Sequence, residues 1–128
     1  MSASTNPLVV QGTVSFPPDE GQQAVPVSFG YSGSYTQILD SRMALTGAGT
    51  TSVPFGGIGS PGVKFALLEY EADPVAAAVT VKFNGSADGI ELQPGGLFLY
   101  ANPAPGTSIT AISLIRTADA VIRVRLFG

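Results

Sequence analysis

Sixteen glycines and ten prolines punctuate this chain of 128 residues, and most of them fall between short runs in which apolar and polar residues alternate. Glycine leaves a helix too free and proline removes a helix donor, so a chain broken this often is confined to short strands joined by tight turns. Disorder is excluded by the other half of the composition, because 45% of the residues are apolar and a disordered chain needs low hydrophobicity.

Residues 8–16 alternate with Val10, Gly12, Val14 and Phe16 on one face and Gln11, Thr13 and Ser15 on the other, the period of a half-buried strand. Pro17, Pro18 and Gly21 end that run. Residues 24–31 repeat the pattern with Val25, Val27, Phe29 and Tyr31, and Pro26 marks an edge strand or a late start. Residues 32–62 are the least regular third, with short strands expected at 35–39, 43–45 and 52–55. The glycine-rich stretches 46–51 and 56–62 between them do not lead into a helix as a phosphate-binding loop requires, and they read as surface loops. From Val63 the pattern tightens into strands at 63–70, 79–83, 90–92, 97–100, 109–115 and 120–127. Asn84-Gly85, Asp88-Gly89, Pro94-Gly95 and Pro103 to Gly106 supply the turns. No helical period appears; residues 74–78 could form one helical turn. The reading is an all-β chain: an antiparallel β-sandwich, jelly-roll-like, of about eight to ten short strands. A polar arm, residues 1–7, precedes a single domain at 8–128.

Charge is scarce: six Lys/Arg and nine Asp/Glu, with no His, Cys or Trp. A compact chain of this mass exposes roughly 6,300 Å², which leaves about 420 Å² to each charge. An ordinary surface has about one per 200 Å². Such a surface is expected to be covered by partners. Three strands sharpen this, being apolar on both sides: Val63, Phe65 and Leu67 oppose Ala66, Leu68 and Tyr70; residues 97–100 are apolar throughout; and Ile109, Ala111 and Ile115 oppose Ile112 and Leu114. One face of each is core, and the other must meet an arm, a loop or another subunit. The expected contacts are Asn6, Pro7, Leu8 and Val9 of the arm, together with Leu68, Tyr70, Phe98, Tyr100, Ile112 and Leu114. The competing reading folds the middle loops over these faces within one chain. In the last strand Ala120, Ile122, Val124 and Leu126 make a clean inner face, with Arg123 and Arg125 outside. These arginines and Glu69 and Glu71 allow cross-strand pairing, but solvated charges are the expectation.

Little chemistry is available. Without His or Cys the chain cannot build a Ser-His or Cys-His nucleophile from its own residues. Carboxylates at Asp40, Glu69, Glu71, Asp73, Asp88 and Glu91 carry no environment legible in sequence that would tune one as an acid. No enzyme, cofactor or metal is expected. Asn84, Ser86, Asp88 and Glu91 offer oxygen ligands, but turn formation explains them without calcium. A net charge of −3 offers nothing to a phosphate backbone, so no nucleic acid partner is expected. No apolar run reaches membrane-helix length, and the first residues lack a secretory pattern. The expectation is a soluble protein with no membrane partner, which stays where it is made unless carried out in an assembly.

Val63-Lys-Phe-Ala-Leu-Leu, Val79-Thr-Val-Lys-Phe-Asn-Gly85, Ile90-Glu-Leu-Gln-Pro-Gly-Gly96-Leu-Phe-Leu and Ile122-Arg-Val-Arg-Leu-Phe-Gly128 together cover about the C-terminal half. In rhythm this half resembles the small β-structured virion proteins of tailed bacteriophages, most of all the capsid decoration or cement proteins. The resemblance implies a jelly roll that is made in the bacterial host cytoplasm, assembles with itself, a trimer being favoured, and binds the major capsid protein on the virion surface. It brings no catalytic residue. A neck, tail or fibre protein is the nearest alternative, and a glycan-binding module stacking sugars on Tyr31 or Tyr100 is one of another class.

Overall fold

The computed structural model describes residues 6–16, 21, 23, 25–59, 62–71, 77–102 and 109–128. The helical turn expected at 74–78 and the bend at 103–106 fall mainly outside them. Ten strands follow one another: β1 (Asn6–Phe16), β2 (Val25–Tyr35), β3 (Ile38–Leu45), β4 (Gly49–Ser52), β5 (Phe65–Tyr70), β6 (Val79–Phe83), β7 (Gly89–Leu92), β8 (Leu97–Ala101), β9 (Ile112–Arg116) and β10 (Ala120–Phe127). Strands β3 to β10 form two four-stranded antiparallel sheets, ordered β3-β10-β5-β8 and β4-β9-β6-β7, and β1 pairs with β2 as a separate two-stranded sheet. In both larger sheets the partners nest: β3 with β10, β4 with β9, β5 with β8, β6 with β7. A long hairpin wound on itself gives this order, which is the jelly-roll arrangement of the β-sandwich.

Turn chemistry at the nested hairpin's tip follows the sequence. Asn84 and Gly85 have φ of 53° and 71°, and the Ser86 amide donates to the Phe83 carbonyl at 2.9 Å. Two successive positive φ angles define a type I′ turn. The β6–β7 ladder itself begins only at Lys82 opposite Gly89, because the second turn at Asp88-Gly89 widens the loop. At Gln93–Gly96 the Gly96 amide donates to the Gln93 carbonyl at 2.8 Å, and Gly95 has φ 84°. With Pro94 ahead of it, this is a type II turn.

The core lies between the two large sheets. Leu68, Ile112, Leu114, Ile122, Leu126, Val63, Val79, Val81 and Val124 are fully buried there. Cross-strand neighbours share a face, so the inner face of β10 fixes that of β5: Ile122 stands opposite Tyr70, Val124 opposite Leu68 and Leu126 opposite Ala66. Four expected contacts are therefore core residues. Leu68, Tyr70, Ile112 and Leu114 are at most 2% exposed, and Phe98 and Tyr100 are partly buried against them. The outward apolar residues have the opposite parity: Leu67, Leu97 and Leu99. A strand apolar on both sides leaves its inward face open until its partner is known.

The expectation for 109–115 also changes. Ile109 forms an isolated bridge with Val63, and the strand begins afresh at Ile112. Between them the Asn84 side-chain oxygen accepts from the Thr110 and Ala111 amides at 2.7 and 3.1 Å and from the Thr110 hydroxyl at 3.1 Å. Outward from β9 stand only Ser113 and Ile115. In the middle third, 38–45 is one continuous strand where two short ones were expected, Tyr35 belongs to β2, and 53–55 follows β4 outside any strand.

Candidate functional site

The body presents two outer sheet faces of different chemistry. Thr50, Ile115, Thr80 and Glu91 make one cross-strand row outside β4-β9-β6-β7, and Ser52, Ser113, Lys82 and Gly89 make the next. Hydroxyls wet this face with little charge. The outer face of β3-β10-β5-β8 gathers Asp40 and Arg42 from β3, Arg123 and Arg125 from β10, and Glu69 with Glu71 at the end of β5. The charges expected to be solvated are paired. Arg42 grips Glu71 with two hydrogen bonds of 2.7 and 2.9 Å, Arg125 reaches Glu69 at 2.8 Å, and Asp40 lies 3.5 and 3.7 Å from Arg123 and Arg125. The hydrogen bonds from Arg42 hold the Glu71 carboxyl below its ordinary range, against a smaller opposing effect of desolvation. Sequence reasoning missed the two β3 members. Reading 38–45 as one strand would have placed Asp40 and Arg42 on the same face.

The hairpin β1–β2 is a third surface. Its 11-residue strands pair from Asn6 opposite Tyr35 to Phe16 opposite Val25, twice the usual strand length. The two strands hold no charged residue. One face carries Leu8, Val10, Gly12, Val14 and Phe16 from β1, facing Gly33, Tyr31, Phe29, Val27 and Val25 from β2. Phe29 lies over Gly12, where a Cβ would collide with its ring, so the aromatic covers the bare glycine of an edge strand.

The near end of this face docks on the sandwich. Tyr31 and Tyr35 pack on Phe65 and Phe127 with ring centroids 6.4 and 5.0 Å apart. The C-terminal Gly128 carbonyl accepts from the Thr36 and Gln37 amides at 2.8 and 2.9 Å, tying the β2–β3 corner to the end of β10. Leu8 is buried here. Burial, and then the nearby Tyr100 phenol, raise the Tyr31 phenol above its ordinary pKa. Beyond Val10 the hairpin leaves the sandwich, and the same face becomes open: Val14, Phe16, Val25, Val27 and Phe29 are 40–56% exposed. Six residues at about 3.3 Å each extend roughly 20 Å.

Residues expected in an independent arm are thus divided. Residues 1–5 lie outside the described ones, while Asn6 and Pro7 already belong to β1. Leu8 turns inward, and Val9, 61% exposed, turns away on the hairpin's other face. No tyrosine forms an open stacking platform: Tyr31 and Tyr35 are covered as above, Tyr70 is buried with its hydroxyl donating to the Ala77 carbonyl at 2.8 Å, and Tyr100 packs against the core. Of the glycine-rich stretch 46–51, expected as a surface loop, 46–48 form the β3–β4 corner and 49–51 are paired in β4; Arg116 binds the Thr51 hydroxyl at 2.7 Å and Asp119 accepts from the Gly47 amide at 2.6 Å. Asn84 and Ser86 are engaged in their loop, Ser86 accepting from the Asp88 amide at 3.2 Å.

The chain matches no model of a known protein family, and no curated protein matches it significantly.

Proposed function

We propose that this chain is a non-enzymatic structural subunit of a virion, a decoration or cement protein that braces the head lattice of a tailed bacteriophage by binding the major capsid protein. The observation that carries the reading is the charge-free hairpin, whose apolar face runs off the edge of the sandwich and, beyond Val10, has no cover among the described residues. Monomers seldom leave a contiguous apolar patch of this kind in water, and an assembly partner is the ordinary reason for one. Support also comes from the jelly-roll strand order, common in viral shell proteins, although fold alone does not carry function. The outer face of β3-β10-β5-β8, with its paired charges beside Leu97 and Leu99, offers a second, more polar surface suited to the capsid lattice.

Immunogold labelling of gradient-purified phage particles tests the proposal. Label spread over the head, with a copy number that matches lattice positions, is the expected result. Absence of the chain from purified particles rejects the reading, and label confined to the neck or tail moves the protein to that structure.

A further inference from the structure

We propose that the distal half of the β1–β2 hairpin is a self-association surface, occupied by the same apolar hairpin face of another copy of this chain. This rests on reading the protein as an assembly subunit, and it adds which residues join the copies. Neither strand pairs with any third strand among the described residues, so both edges carry open backbone ladders. Natural edge strands are ordinarily short, charged or bulged; these are 11 residues long, without a charge and paired in continuous register. Two-stranded sheets are marginal in water on their own. The near half obtains its cover from Phe65 and Phe127 of its own body, and the far half continues the same face past that cover.

Chemistry selects the occupant. Val14, Phe16, Val25, Val27 and Phe29 offer no charge or polar side-chain group to a partner, so the matching surface must itself be apolar. The charged sheet face of a neighbouring copy is a poor match, since covering it would desolvate the pairs around Asp40, Arg125 and Glu69. A second hairpin is a match by construction, because an isologous contact needs only a self-complementary patch. The five side chains expose about 400 Å² per copy, so two such faces supply about 800 Å², and the flanking backbone brings the contact toward the roughly 1,000 Å² that a specific interface needs.

Sedimentation equilibrium of the full chain at micromolar concentration should give a multiple of 13.0 kDa. The single substitutions Val14→Glu and Val27→Glu, at directly paired positions on the open face, should return the monomer mass with the β-sheet circular dichroism unchanged. Thr13→Glu, on the opposite face, should leave the mass of the wild-type assembly. Since the chain contains no cysteine, Val14→Cys under mild oxidation should give an intermolecular disulfide. A monomeric wild type, an unchanged mass for both glutamate variants, or dissociation by Leu97→Glu and not by Val14→Glu would each overturn the proposal. These readouts use pure protein, so they fail or succeed separately from the location of the chain in a virion.

Discussion

The sandwich and the hairpin are built from the same strand pattern, and they differ in what the apolar face meets. In β10, Ala120, Ile122, Val124 and Leu126 alternate with outward residues just as Val10, Gly12, Val14 and Phe16 do in β1. The first set faces a second sheet and is at most 4% exposed. The second set begins at Val10, beside the Tyr31 that packs on Phe65, and then runs past that cover. Alternation therefore specifies a strand with an oily side, while burial depends on whether another layer is in reach. The body completes its two layers within one chain, and among the described residues the hairpin does not.

Substitutions should separate the two regions most sharply in the core. Leu68→Ala or Ile122→Ala, which empties a site between packed sheets, should cost about 2–5 kcal/mol, read by chemical denaturation. Val14→Ala and Val27→Ala should change monomer stability by well under 1 kcal/mol, since both side chains are half exposed. A hairpin substitution that destabilised the sandwich as much as a core one would break the distinction. Asn84→Ala should fall between them at about 1–3 kcal/mol, because its oxygen serves two backbone amides and a hydroxyl at the start of β9 and its φ is positive. Asn84→Gly keeps the turn but loses the acceptor, so the difference between the two variants measures how much the turn alone contributes.

A smaller effect is expected on the charged face. Arg42→Gln should shift the denaturation midpoint only slightly, because the pair with Glu71 is exposed to solvent. Its sign is defined: the folded-state pKa of Glu71 lies below the ordinary value, so its stabilising contribution is present above the unfolded pKa and is lost as pH falls through the folded one. Wild type and Arg42→Gln should therefore converge in stability toward low pH, with their difference largest near neutrality. Added salt should narrow the same difference. A difference that grew on acidification would show that Arg42 acts through something other than Glu71.

Much of the architecture was legible because turn and strand signals are local. Asn84-Gly85 and Pro94-Gly95 specify backbone angles that few other residue pairs adopt, and both made the turns they encode. The strands at 79–83 and 120–127 needed only their own alternation, and 97–100, apolar throughout, was bounded by its flanking turns. The middle third was harder: Ile38 and Leu39 are adjacent apolar residues, and Asp40, Ser41 and Arg42 hide the inward set of Leu39, Met43 and Leu45. The candidate contacts were misassigned at Leu68, Tyr70, Ile112 and Leu114, where sequence offers two oily sides and no means to choose. Register with Ile122 and Val124 makes that choice for β5.

By itself the sequence determined that this chain is all-β, where most of its turns fall, and that its charges are too few to wet an ordinary surface, since all three follow from residue type and near-neighbour spacing. Only the tertiary structure decided which side of each oily strand faces the core, that six of the scarce charges meet on one sheet, and that the hairpin's apolar face outruns its own body. Those outcomes depend on contacts between residues far apart in the chain, and a local pattern carries no record of which distant strand will lie beside it.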